Sequence, residues 1–169
     1  MRTVRNKKPL PRRFGAILQK GAVQRGDILE LNIWVRPADR LKLKVLAFGD
    51  RRDGVAFFSG PWVEKYGHPG LAAREARAKD VMALVYALPE DRGFFAIAAF
   101  FGKITLGWAA HEALHAACRY CDRVRNRKRW TDNGYEIGDY EEQRAYAASA
   151  ILCNIMGNRA GADGFFAKE

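Results

Sequence analysis

The spacing of apolar and polar positions divides the chain into a polar lead-in, a strand-rich middle and a helical end. Residues 1–26 mix Pro9, Pro11, Gly15, Gly21 and Gly26 with basic side chains, which predicts an irregular basic arm. The pattern changes at Asp27. Ile28, Leu29, Leu31, Ile33, Trp34 and Val35 predict a strand, and Leu41 to Phe48 alternates leucine or valine with lysine at the period of two that a half-buried strand requires. Gly49 to Gly54 reads as a polar turn and Val55 to Phe58 as a short strand. Gly60, Pro61, Gly67, Pro69 and Gly70 then punctuate a loop. Leu71 to Leu88 sets alanines and charges at helical spacing and is expected to be a helix that passes into a strand near Val85. After a turn at Pro89 to Gly93, the apolar run Phe94 to Phe101 predicts a buried strand, and Lys103 to Leu106 a further short one. Two helices follow, Trp108 to about Arg123 and Tyr140 to about Met156, separated by a polar basic loop.

Strands, one helix, more strands and two helices together predict an α+β fold, a small mixed sheet packed by helices. A chain of 169 residues can bury one core but would give two domains only thin ones, so residues 27–169 are expected to form a single domain behind the arm of residues 1–26. The longest apolar run is far too short for a membrane-spanning helix, which argues against a membrane protein. The basic N-terminal stretch lacks the apolar centre and small-residue cleavage site of a secretory signal. Three cysteines do not make a disulfide framework, and a cytoplasmic location is the expectation.

Charge changes this picture in two places. Residues 1–13 hold six basic side chains and no acid; residues 119–130 hold Arg119, Arg123, Arg125, Arg127, Lys128 and Arg129 against Asp122 alone. These two segments account for the whole formal net charge of +10, so the remainder is close to neutral. Either segment suits a polyanion, and nucleic acid is therefore a candidate partner. Solvated helix ends and basic tails are the plainer explanation, and no helix-turn-helix or RNA-binding motif accompanies them.

Candidate chemistry lies in the first of the two closing helices, where residues 111–115 read His-Glu-Ala-Leu-His. A helix turns about 100° per residue, so His111 and His115 differ by only about 40° in direction and stand one turn apart. Both imidazoles can reach one ion, and zinc accepts neutral imidazole nitrogen while leaving a position open in catalytic sites. Glu112 lies beside the pair, placed to take a proton from an attacking water and return it to a leaving amine. From Ile104 to Cys118 no other side chain is charged, and the rest is apolar or small, which predicts a buried helix. In such an interior a carboxylate and two imidazoles need partners, and a metal suits all three. The competing reading is a pair of core histidines bonded to the main chain, with Glu112 paired to an arginine.

No histidine follows His115, and His68 lies upstream in a Gly-Pro loop, so a third ligand must be sought among carboxylates. Glu141 and Glu142 open the next helix, on which Glu142, Tyr146, Ser149 and Cys153 share a stripe. Glu142 is the preferred third ligand and Glu141 the next. Against this, Asp139 followed three residues later by Glu142 also fits a capping box, which needs no metal. Cys118 and Cys121 form a C-x-x-C, but no second ligand pair completes a closed zinc site, and packing is the expected role of these cysteines.

In these residues the chain resembles the zincin metallopeptidases whose third ligand is a glutamate, and the short ImmA/IrrE-like and phage-borne members in particular. The resemblance spans about Phe94 to Met156: an apolar strand, a short second strand, His111-Glu112-x-x-His115, then Glu142-x-x-Ala145-Tyr146-Ala147. It implies His111, His115 and Glu142 as zinc ligands, Glu112 as catalytic base, a peptide or protein substrate, and a sheet edge able to pair with an extended peptide. The extended Glu-x-Glu-Ala-Asn pattern of many relatives is absent, and Tyr146 or Tyr135 are the candidates for stabilising an oxyanion. A zincin-like protein that binds nucleic acid or an acidic partner without cleaving peptides is the alternative.

Overall fold

Residues 23–60, 74, 76–88, 93–126 and 140–168 are described by a computed structural model. They form a five-stranded mixed sheet with helices on both faces. The strands are β1 (Val23–Arg25), β2 (Ile28–Trp34), β3 (Lys42–Phe48), β4 (Ala83–Ala87) and β5 (Phe94–Phe101), in the spatial order β1-β2-β3-β5-β4. Only the β3–β5 pair is parallel; β1–β2, β2–β3 and β4–β5 are antiparallel. Among the described residues no helix is long and apolar enough to cross a membrane.

Alternation along the strands decides what covers each face. Leu29, Leu31 and Ile33 of β2, Leu43, Val45 and Ala47 of β3, and Ala96, Ala98 and Phe100 of β5 point to one side, joined by Phe95 at an irregularity in the β3–β5 register, and there helices α2 (Leu106–Asn126) and α3 (Tyr140–Gly157) close the main core. Leu46, Phe48, Ile97, Ala99 and Phe101 point to the other side, under helix α1 (Arg51–Phe58). Phe94 to Phe101 lacks polar alternation because this strand is covered on both faces. Lys42 and Lys44 remain half-buried at the start of β3. Lys42 Nζ sits between the rings of Trp34 and Phe94, 4.8 and 4.9 Å from their centroids.

Several elements differ from the sequence reading. Val55 to Phe58 is the second half of α1 and not a strand: Asp50 caps the helix by accepting from the Arg52 main-chain N–H at 2.8 Å. Gly54 permits close approach to the sheet there, since a Cβ would meet Phe101 at 2.5 Å. Val23–Arg25, within the stretch expected to be an irregular arm, is an edge strand paired with Ile28–Glu30. The helix expected over Leu71 to Leu88 includes helical positions at 74, 76 and 77 but gives way to β4 at Ala83. Lys103 to Leu106 contributes only a bridge of Ile104 to Phe166, because Leu106 already belongs to α2.

The start of α2 is held firmly. Thr105 accepts from the Trp108 N–H through Oγ1 at 3.1 Å, the N-cap arrangement that satisfies one unpaired first-turn donor. Ile104 N–H donates to the Phe165 carbonyl at 2.8 Å, and Ala167 N–H donates back to the Ile104 carbonyl at 2.9 Å. Residues 165–167 thus strap the segment that leads into α2.

Candidate metal centre

Helix α2 is amphipathic, and its histidines lie on the outer face. Ala109, Ala113, Ala116, Ala117, Tyr120, Cys121 and Val124 are buried against the sheet and α3. Leu106, Gly107, Trp108, Ala110, His111, Leu114 and His115 are exposed, so the expectation of a wholly buried helix is corrected. Alanine is the source of the misreading: small residues occupy both the packed arc and the open arc, so the composition of this stretch does not separate them.

On the open face the two imidazoles converge. His111 Nε2 and His115 Nε2 are 3.1 Å apart, and the ring centroids are 4.8 Å apart. Two zinc–nitrogen bonds of about 2.0–2.1 Å at a tetrahedral angle would set their nitrogens about 3.3 Å apart. The observed separation is close to that distance. Without an ion, the same distance allows one neutral ring to donate its N–H to the other. Among the described residues no main-chain oxygen caps either ring, and the Trp108 ring meets His111 edge-on at 5.9 Å. The competing reading of core histidines tied to the backbone therefore does not describe this helix.

Glu112 differs from its neighbours. It lies about 100° round the helix from His111, at the boundary of the packed arc, and only 3% of it is exposed. No other described residue gives it a hydrogen bond, and no arginine among them pairs with it. Burial raises its carboxyl above the ordinary carboxylate value, with the nearby His111 pulling the other way. A carboxyl in this condition holds a proton more readily than a surface glutamate, which suits a group that must accept one and pass it on.

The remaining expected ligands stand as follows. Glu141 and Glu142 belong to the first turn of α3, but their side chains lie outside the described residues. The neighbouring turn of α3 reaches α2 one turn beyond His115, where Arg144 Nη1 is 4.0 Å from Cys118 Sγ. Tyr146 is half-buried on α3; His68, Tyr135 and Asp139 lie outside the described residues. Among the described residues no cluster of three or more His, Cys, Asp or Glu side chains forms. The pair of histidines is what the geometry supplies.

Cys121 is buried, and burial pushes its thiol up to about 12, with Cys118 and Asp122 adding to the effect and Arg144 opposing it. A thiol so protonated is inert, in keeping with the packing role expected for it. The basic segment fares differently from expectation. Arg119 is exposed, but Arg123 is half-buried and donates from Nη2 to the Leu88 carbonyl at the end of β4, so it ties α2 to the sheet edge. The side chains of Arg125, Arg127, Lys128 and Arg129 lie outside the described residues.

One polar cluster was not foreseen. Asp39, buried at 3% exposure in the 3₁₀ turn Pro37–Asp39, accepts two bonds from Arg36, at 2.9 and 2.7 Å, and one from the Tyr120 hydroxyl of α2. Burial and the adjacent carboxylate raise the Tyr120 hydroxyl well above its ordinary value, so it stays a donor. Asp39 and Tyr120 are 81 residues apart, and neither belongs to a recognisable motif.

Compared with known protein families, with curated proteins and with solved structures, the chain matches none.

Proposed function

We propose that this protein is a zincin-like, zinc-dependent hydrolase acting on peptide bonds. The observation that carries the reading is the convergence of His111 Nε2 and His115 Nε2 to 3.1 Å on an accessible helix face, with the buried Glu112 carboxyl in the adjacent position. His111 and His115 would hold the metal, and Glu142, in the helix packed against α2, is the proposed third ligand. Zinc in such a site supplies a Lewis acid that polarises a carbonyl and makes water more acidic. Glu112 would accept a proton from the attacking water and return it to the leaving amine. Ala109, Ala113 and Ala116 seat α2 on the sheet and so fix the backbone from which both rings project.

The peptide substrate is supported by the sheet edge. β4 is the outermost strand on its side, with no strand partner beyond it among the described residues, and α2 packs across β4 and β5. An extended peptide can add to such an edge through main-chain hydrogen bonds. Cleavage of an unbiased peptide mixture by zinc-loaded protein, read by mass spectrometry, tests the proposal. Glu112→Gln should keep zinc and lower cleavage about 10²–10⁴-fold, the usual contribution of a positioned general base. Undiminished cleavage by that variant would remove Glu112 from the mechanism.

A further inference from the structure

The face of α2 that carries the histidines is apolar as well as accessible. Trp108 is 37% exposed, Leu114 55% and Leu106 50%, the large hydrophobic side chains that stand out to solvent among the described residues. Trp108 and Leu114 precede His111 and follow it by three residues, so they flank the imidazole pair on the same surface of the helix. Trp108 touches His111 directly, edge to face at 75°. From Leu106 to Cys118 no charged side chain other than the buried Glu112 occurs, and Arg119 is the first exposed charge beyond the site. Solvent-exposed leucine and tryptophan side chains gathered around one polar pair are unfavourable to leave wet and mark a binding surface.

We infer that Trp108 and Leu114 determine specificity at this site, receiving an uncharged, bulky apolar group of the substrate immediately beside the bond held at His111 and His115. This inference rests on the proposed metal centre. The physical basis is simple: an aromatic or branched aliphatic group gains by leaving water against Trp108 and Leu114, whereas a carboxylate or ammonium loses hydration against these apolar side chains. The occupant is a substrate side chain, because the surface is continuous with the imidazole pair through the Trp108–His111 contact.

Small hydroxamates, which bind active-site zinc, test this without a known substrate. The probes are acetohydroxamate, 3-phenylpropionohydroxamate and the monohydroxamate of succinic acid, titrated calorimetrically into zinc-loaded protein whose zinc content is measured in the same samples. The phenyl probe should bind roughly tenfold or more tightly than acetohydroxamate, as burial of an aromatic ring allows, and the carboxylate probe no more tightly than acetohydroxamate. Trp108→Ala should keep its zinc and reduce the phenyl advantage to about threefold or less. Leu114→Lys, an exposed change that leaves the core untouched, should turn the preference towards the carboxylate probe. Zinc-loaded protein that binds all three probes alike, or an advantage that survives both substitutions, overturns the inference and leaves the metal centre standing. A wild type that takes up no zinc removes both.

Discussion

Helix α2 carries two polar clusters that the protein treats in opposite ways. Near its C-terminal half, Tyr120 reaches Asp39, which Arg36 also grips, and the cluster is enclosed with the main core around it. Five residues before Tyr120 and nine, His115 and His111 stand in the open and meet each other and Trp108. The first cluster is closed in on itself, and its work is to hold α2 to the turn between β2 and β3. The second stands on the open face, with the two imidazole nitrogens 3.1 Å apart and the buried Glu112 in the adjacent position. Polar groups on one helix thus differ in whether they are enclosed with the core or stand open to solvent.

This contrast can be broken by exchanging the consequences of mutation. Asp39→Ala leaves the Arg36 guanidinium and the Tyr120 hydroxyl without their shared acceptor and should cost about 2–4 kcal/mol of stability, measured by urea unfolding, while the folded fraction still binds zinc. Tyr120→Phe keeps the Arg36–Asp39 pair and removes one hydrogen bond to a charged group, so about 1–2 kcal/mol is expected, again with zinc binding intact. If either change abolished metal uptake in folded protein, the two clusters would not be separate devices.

A smaller effect sharpens the account of Glu112. Its carboxyl is raised in the folded protein, so the native state holds the proton more tightly than the unfolded chain does. Stability from this group is therefore full below the unfolded-state value near 4.5 and falls as pH rises through the higher folded value. In metal-free protein, Glu112→Gln should be as stable as wild type at acidic pH and more stable at neutral pH. Thermal unfolding of both proteins across pH 4–8 measures this, and parallel curves would mean that Glu112 is not desolvated.

Much of the fold was legible from local pattern. β2, β3 and β5 fall where alternation or an apolar run placed them, and α2 and α3 start and end within a few residues of expectation. Each of these elements has a hydrophobic period that its neighbours reinforce. Helix α1 was missed because Gly54 and four charged residues between Asp50 and Asp53 look like a turn, and only the Phe101 ring beneath explains why glycine belongs in a helix there. The motif at 111–115 named its residues from spacing alone, yet its exposure was misjudged. Burial is set by which arc of α2 the sheet and α3 cover, and alanine-rich arcs do not announce this. Asp39 was illegible for a different reason: its partner lies in another element, far along the chain, and only tertiary structure brings the two together.

The central claim is that the converging rings of His111 and His115 bind zinc. Protein purified with chelator, incubated with zinc and freed of excess should contain close to one zinc per chain by atomic emission, and His111→Ala, equally folded by circular dichroism, should contain almost none. A folded wild type that retains no zinc, or a His111→Ala variant that retains as much as wild type, would contradict it.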